Sequence, residues 1–151
     1  MSNEETLSVL LLGSGAREHA MAEAISRSPL LGQLMVAPGN AGTTPWNVDL
    51  DASSNLKIVD FCVRHDVDLV IVGPEAPLVD GVADDLALVG INCFGPSAGA
   101  AKLEGSKAFA REFAARHNIP GPSVRTFREV EPALAWLDEF NRPVVVKADG
   151  L

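Results

Sequence analysis

Short apolar runs alternate with segments of helical spacing, and this alternation constrains the fold of the chain most strongly. The runs cover residues 7–12, 34–37, 68–72 and 91–94, and each is closed by glycine or proline-glycine residues. Apolar strands of this kind are typical of parallel sheets, whose two faces are both covered. Strands that alternate with helices predict βαβ units. The expected fold class is therefore α/β, a doubly wound parallel sheet with helices on both faces.

Helical patterns occupy the stretches between these runs. Apolar residues recur every three or four positions over 17–28 and 56–65, and a further helix over 79–89 is ended by Gly90. The first domain is expected to end near residue 100.

The remaining residues have a different character. Helices are predicted over 97–104, 106–117 and 129–140, and strands over 123–127 and 143–147. The last strand is rich in valine and expects neighbours on both faces, yet it stands at the end of the sequence. A segment of about 50 residues is also small for an independent core. We therefore expect this chain to be a truncated form of a longer protein.

Composition excludes several classes of function. Hydrophobic residues make up 47% of the 151 positions, so a folded core is expected rather than disorder. The net charge of −8 argues against general nucleic-acid binding, although backbone N–H groups could still bind a small phosphate compound. No apolar run reaches the roughly 18 residues of a membrane span. Cys62 and Cys93 lie far apart and suit reduced, buried thiols, so a cytoplasmic location is expected.

The first candidate site is the turn that holds Gly13 and Gly15, followed by Arg17. Glycines allow a sharp turn and close approach to a ligand, and a helix N-terminus attracts anions. A dinucleotide fingerprint is not met, because Glu18 stands at its third glycine and no acidic residue ends the second strand. Arg17 could bind two phosphate oxygens. A helix start with surface charges is the alternative.

Two more loops follow the second and third strands. The candidates are Gly39, Asn40 and Ala41 in the first of these loops, and Gly73, Pro74 and Glu75 in the second. The first loop suits unusual backbone dihedrals, which a tight turn explains as well as a ligand does. Glu75 follows a central strand, where open α/β sheets bind ligands, and its carboxylate could hold ribose hydroxyls or an amine. A rigid turn with an exposed glutamate is the alternative.

Two lysines are candidates for nucleotide binding. Lys107 stands just inside a predicted helix, where a solvated surface charge is the simpler interpretation. Lys147 closes a predicted buried strand, so we expect a packed stem and an ammonium group directed towards phosphate or an adenine nitrogen. A strand-end lysine whose ammonium group reaches solvent is the alternative. The three histidines show no spacing typical of metal ligands.

Taken together and in order, these segments resemble the glycinamide ribonucleotide synthetases (phosphoribosylamine–glycine ligases). The segments that carry the resemblance are residues 13–19, 38–42, 73–78, 94–97, 103–107 and 144–150. The resemblance implies a Rossmann-like (pre-ATP-grasp) domain over 1–102 and the incomplete start of an ATP-grasp domain over 103–151. It also implies a reaction that joins glycine to 5-phosphoribosylamine through a glycyl phosphate, with ATP and Mg²⁺ as cofactors.

The resemblance also implies roles for the candidate residues. The loops with Gly13, Gly15 and Arg17, with Gly39, Asn40 and Ala41, and with Gly73, Pro74 and Glu75 would line the phosphoribosylamine pocket, and Lys107 and Lys147 would reach ATP. No catalytic residue and no metal ligand is expected in these 151 residues, so they should be inactive alone. The partners expected are small molecules, not nucleic acid or membrane. The alternatives are another ATP-grasp ligase or carboxylase, a stand-alone nucleotide-binding regulatory module, and a purely structural domain.

Overall fold

The computed structural model describes residues 6–140 and 142–150. Within this part of the chain one parallel sheet forms, with the second strand at one edge, then the first, the third and the fourth. The strands are β1 (Leu7–Gly13), β2 (Leu31–Pro38), β3 (Leu69–Val72) and β4 (Asn92–Phe94). The chain is therefore α/β with a parallel sheet, as the apolar runs predicted.

The helices lie between and after these strands. They are α1 (Ala16–Ile25), a 3-10 helix (Ala41–Trp46), α2 (Asn55–Arg64), α3 (Ala76–Val79), α4 (Val82–Leu88), α5 (Ala98–Gly105), α6 (Lys107–Arg116) and α7 (Val130–Phe140). None of the helices in the described ranges is both long and apolar enough to cross a membrane.

Side chains on the two faces of the sheet enter two separate apolar clusters. Leu10 and Leu12 of β1 point to one face and pack in a cluster with Ile58 of α2. Val9 and Leu11 point to the other face and pack in a cluster with α1. Because successive side chains of a strand alternate between faces, a strand apolar at every position needs helices on both sides. The structure confirms this arrangement.

The helix predicted over 79–89 is interrupted. α3 ends at Val79, and α4 begins at Val82 after Gly81, whose φ of 92° lies in the left-handed region. A left-handed residue cannot continue a right-handed helix, and glycine adopts this conformation without the steric cost of a Cβ. The spacing of apolar residues continues through the break at Gly81, so this spacing could not reveal the break.

The strands predicted over 123–127 and 143–147 are wrong, because neither segment is a strand in the structure. Both are rich in residues that favour strands, but such residues form a strand only beside a partner. Val145 and Val146 are 81% and 79% exposed, so the valines that suggested a buried strand have no packed face among the described residues.

The chain divides into two compact units, Met1–Lys102 and Leu103–Leu151. The sheet and both apolar clusters belong to the first unit. In the second unit, α6 and α7 have no fully buried residue among those described. The Asp149 carboxylate accepts hydrogen bonds from the Ser106 hydroxyl and the Ala108 N–H there, at 3.0 and 3.1 Å.

Candidate functional site

Three loops meet at the carboxyl edge of the sheet, where β1, β2 and β3 end side by side. The N–H of Gly39 donates to the Gly13 carbonyl at 3.1 Å, and the N–H of Gly73 donates to the Leu12 carbonyl at 3.0 Å. The first residue of the loop after β2 and the first residue of the loop after β3 are thus each hydrogen-bonded to the end of β1. The parallel register therefore brings together the three loops that the sequence singled out.

The Glu18 carboxylate lies at the centre of this meeting point. Glu18 is only 5% exposed, and its Oε2 accepts a hydrogen bond from the Gly15 N–H at 2.7 Å. Its Oε1 accepts from Nε of Arg17 at 2.9 Å. Burial tends to raise the pKa of Glu18, but the hydrogen bonds from Arg17 and Gly15 outweigh it and hold the pKa below the usual value. The side chain is therefore a buried, ionised carboxylate.

Glycines surround this carboxylate because there is no room for a Cβ. A Cβ on Gly13 would lie 2.4 Å from Cγ of Glu18, and one on Gly73 would lie 2.2 Å from Oε1. A Cβ on Gly15 would lie 2.9 Å from Oε2. The sequence alone suggests that Gly13 and Gly15 leave room for the close approach of a ligand. The structure shows that they also make room for Glu18.

Arg17 connects the first loop to the third. Its Nη2 donates to the Gly73 carbonyl, and its Nη1 lies 3.6 Å from Oε1 of Glu75. The hydrogen bond to Glu18 is the largest of the causes that raise the pKa of Arg17, and both glutamates add to it. The side chain is still 54% exposed, so an anion can reach the guanidinium from solvent.

Asn40 connects the second loop to the first. Its Nδ2 donates to the carbonyls of Ser14 and Gly15 at 2.9 and 3.1 Å. Its Oδ1 accepts from the N–H groups of Gly42 and Thr43, and so caps the 3-10 helix. The Thr43 hydroxyl, fully buried, donates to Oδ1 of Asn47 at 2.7 Å. Asn40 is thus a structural link whose polar atoms already have partners.

A cleft of about 520 Å³ opens beside these loops, within the first unit. Gly13, Gly15 and Pro74 line it, together with Glu18 and the start of the segment before α2, including Asp51. The other candidates in the first unit lie in these loops or at the start of the helices that follow them, without lining the cleft: Arg17, Gly39, Asn40, Ala41, Gly73 and Glu75. The structure therefore brings the three loops together, with candidates of the first and third loops at the cleft and none of the second.

Asp51 is a cleft residue that the sequence did not single out. Its Oδ1 accepts from the Ser53 hydroxyl at 2.6 Å, and its Oδ2 accepts from Nζ of Lys57 at 2.9 Å. The Ser53 hydroxyl and then Lys57 lower the pKa of Asp51 to about 2. Asp51 and Glu18 thus give the cleft two ionised carboxylates, which can accept hydrogen bonds from the hydroxyls or amine of a sugar. The Arg17 guanidinium, in contrast, can bind an anion.

The Gly15 N–H is not free to bind an anion, because Glu18 already accepts from it. Our interpretation of the helix start as an open set of N–H donors was wrong at this residue. A glutamate three positions after a helix cap is the pattern of a capping box, and that pattern could have identified the contact.

The two candidate lysines lie in the second unit. Nζ of Lys107 donates to the Gly150 carbonyl. Lys147 is exposed and does not close a strand, so the packed stem we expected is wrong. Among residues 6–140 and 142–150, no group of three or more His, Cys, Asp or Glu side chains is placed to hold a metal ion.

Two protein-family models match the chain and together cover almost all of it. The family model of the phosphoribosylglycinamide synthetase N domain matches residues 7–104, and that of the ATP-grasp (A) domain of the same synthetase matches residues 105–151. The chain belongs to the phosphoribosylglycinamide synthetase family. The resemblance inferred from the six segments is confirmed.

Similar proteins agree with this assignment. Over 149 residues, 96% of this chain, it is 53% identical to phosphoribosylamine–glycine ligase of Escherichia coli O157:H7 and 52% identical to that of Pseudomonas aeruginosa. The chain spans 35% and 34% of the length of these two synthetases.

Among solved structures, the biotin carboxylase domain of Hydrogenobacter thermophilus 2-oxoglutarate carboxylase, in complex with MgADP, ADP and bicarbonate, matches 92% of this chain and 34% of its own. The TM-score is 0.64 at 16% identity, so this likeness supports the fold alone.

Proposed function

We propose that this chain belongs to a phosphoribosylamine–glycine ligase of de novo purine biosynthesis. The reaction joins glycine to 5-phosphoribosylamine with ATP: the glycine carboxylate is phosphorylated, and the ribosyl amine then attacks the glycyl phosphate. The products are glycinamide ribonucleotide, ADP and phosphate. Support comes from the two family models and from the synthetases that are about half identical to this chain.

We further propose that residues 1–102 are the Rossmann-like (pre-ATP-grasp) domain and that 103–151 begin the ATP-grasp domain. The division into Met1–Lys102 and Leu103–Leu151 supports these limits. Lys107 and Lys147 are proposed to contact ATP in the whole synthetase. Both residues are exposed, and each carries an ammonium group that suits a phosphate. We assign Mg²⁺ to no residue of this chain. Cys62 is buried and Cys93 half-buried, and neither is in a disulfide, which suits a cytoplasmic enzyme.

The carboxyl edge of the sheet is the proposed site for 5-phosphoribosylamine. The observation that carries this assignment is the convergence of the three loops, tied together by Arg17 and Asn40. Arg17 would meet the phosphate with its exposed guanidinium. Glu75, which is 46% exposed beside Arg17, would accept from a ribose hydroxyl or the amine. The loop residues Gly13, Gly15, Gly39, Asn40, Ala41, Gly73 and Pro74 would supply the backbone surface.

Calorimetry with ribose 5-phosphate, a stable analogue without the amine, tests this assignment. We expect the chain to bind it and Arg17→Ala to weaken binding about tenfold or more, the effect of losing a charge-assisted hydrogen bond. Arg64→Ala is the matched control, since Arg64 pairs with Asp60 on the surface of α2. Equal weakening by both substitutions, or tight binding of NAD instead, would contradict the proposal.

Activity of the 151 residues alone is a separate question. Because the chain covers about a third of the related synthetases, we expect no formation of ADP dependent on glycine and phosphoribosylamine. A coupled assay for ADP measures this directly. Turnover above the rate without enzyme would show that these residues hold more of the catalytic machinery than we propose.

A further inference from the structure

The proposed function leaves one buried ionised group without a role. Glu18 is 5% exposed, and the proposed contacts to phosphate and ribose use Arg17 and Glu75 rather than Glu18. An ionised carboxylate is costly to bury unless strong donors compensate for its lost hydration. A helix cap alone needs no such burial, because exposed glutamates serve at this position as well.

The two oxygens of Glu18 have different partners. Oε2 accepts from the Gly15 N–H, within the loop after β1. Oε1 accepts from Nε of Arg17, whose Nη2 donates in turn to the Gly73 carbonyl. Glu18 therefore holds Nε of the guanidinium, and the loop after β3 holds Nη2. The plane of the guanidinium is fixed from two sides.

We propose that Glu18 is a positioning residue, which holds the Arg17 guanidinium across the loops after β1 and β3 so that Nη1 is presented to the phosphate of the sugar ligand. This inference rests on the proposed function. Nη1 is 3.6 Å from Oε1 of Glu75, beyond a good hydrogen bond, so a phosphate oxygen can compete for it. Because the other guanidinium nitrogens are already held, binding orders little more of the side chain.

The glycines beside Glu18 support the same role. A Cβ on Gly73 would meet Oε1 at 2.2 Å, and a Cβ on Gly13 would meet Cγ at 2.4 Å. The loops after β1 and β3 are thus both shaped around this one carboxylate. A residue that only capped α1 would need space in the first loop and none in the third.

Glu18→Gln tests the proposal, because it keeps the shape and removes the charge. A glutamine can accept from Gly15 or from Arg17 with its one oxygen, but its amide group then faces the other donor. Glu23→Gln is the matched control on an exposed position of α1. Two readouts are combined: the Arg17 Nε–H signal in ¹H–¹⁵N NMR spectra, and calorimetry with ribose 5-phosphate.

We expect Glu18→Gln to speed the solvent exchange of the Arg17 Nε–H about tenfold and to weaken ribose 5-phosphate binding about tenfold. In an Arg17→Ala background the same substitution should not change the affinity, since the residue through which Glu18 acts is absent. Unchanged exchange in Glu18→Gln, or equal weakening with and without Arg17, would overturn the proposal.

The unsubstituted chain gives a second measurement, should Glu18→Gln fail to fold. Nε of Arg64 donates to the exposed Asp60 at 3.0 Å and serves as an internal reference. The Arg17 Nε–H should exchange at least about tenfold more slowly than that of Arg64, because its acceptor is buried. Equal exchange rates would overturn the positioning role.

The two proposals fail in different ways. Slow exchange at Arg17 with no binding of ribose 5-phosphate to the unsubstituted chain would remove the proposed ligand, leaving Glu18 as the residue that orders Arg17. Ligand binding that Glu18→Gln leaves unchanged would retain the proposed ligand and remove the role of Glu18.

Discussion

Replacing Gly73 with alanine tests whether the loops are shaped around Glu18. The new Cβ would lie 2.2 Å from Oε1, 2.5 Å from Cγ and 2.6 Å from Cδ of that glutamate. The backbone of Gly73 lies outside the left-handed region, so the effect is steric. Inserting a methyl group into a packed site costs about 1–3 kcal/mol. A displaced carboxylate also loses charge-assisted hydrogen bonds worth about 1.5–3 kcal/mol.

Part of this loss is offset, because alanine restricts the unfolded chain by about 0.4–1 kcal/mol more than glycine does. We therefore expect Gly73→Ala to lower the free energy of unfolding by about 3 kcal/mol. Urea unfolding followed by tryptophan fluorescence measures this in a Trp136→Phe background. Trp46 is then the only tryptophan, and it packs against the sheet of the first unit.

A second background identifies the cause. In Glu18→Ala the three atoms that the new Cβ would strike are absent, so Gly73→Ala should cost nothing there or stabilise slightly. Gly99→Ala in α5 is the control, since its nearest neighbour is the Ser97 hydroxyl at 4.0 Å, and it should stabilise by about 0.5 kcal/mol. A loss below about 1 kcal/mol for Gly73→Ala, or an equal loss in both backgrounds, would refute the reasoning.

Three further substitutions test the packing, a helix cap and a titration. Ile58→Ala, at a fully buried position, should lower the free energy of unfolding by about 2–5 kcal/mol, whereas Leu56→Ala, 78% exposed on the same helix, should change it by less than about 0.5 kcal/mol in the same urea assay. Ser106→Ala removes the acceptor for the Phe109 N–H and should destabilise the second unit by about 1 kcal/mol, measured by Trp136 fluorescence. The pKa of Asp51 is lowered from 3.8 to about 2, so its contribution to stability is complete above pH 3.8 and is lost as the pH falls towards 2. The difference in unfolding free energy between the unsubstituted chain and Asp51→Asn should shrink over that range, and a constant difference would contradict the assignment.

The sheet could be predicted because its signal is local and redundant. β1 and β2 are apolar at positions that face both sides, and each strand is closed by residues that leave the sheet. Buried parallel strands need this composition whatever their neighbours are. The apolar pattern of the strands was therefore sufficient to predict the fold class.

In the second unit the helices over 106–117 and 129–140 are confirmed as α6 and α7, whereas the strands could not be predicted in the same way. Val144, Val145 and Val146 have high strand propensity, but this propensity takes effect only where a partner strand supplies hydrogen bonds and a packed face. The described residues of that unit supply none. The helix break at Gly81 was missed for a related reason, since a single left-handed residue leaves the apolar spacing intact.

The candidate site was predicted in part. The loops could be located because parallel strands bring their carboxyl ends to one edge of the sheet. The central role of Glu18 could not, because a glutamate in a glycine-rich turn looks like an obstacle to an anion rather than a partner for Arg17. Asp51 was missed because its place at the cleft depends on the path of the chain after the 3-10 helix.

Mapping ribose 5-phosphate onto the chain by NMR tests the central claim most directly. At 15.9 kDa, the ¹⁵N-labelled chain is small enough for its amide signals to be assigned and followed in a titration. We predict that saturable shifts concentrate at Gly13, Gly15, Gly39 and Gly73 and at the Arg17 side chain. An absence of shifts, or shifts confined to a surface away from the carboxyl edge of the sheet, would contradict the account.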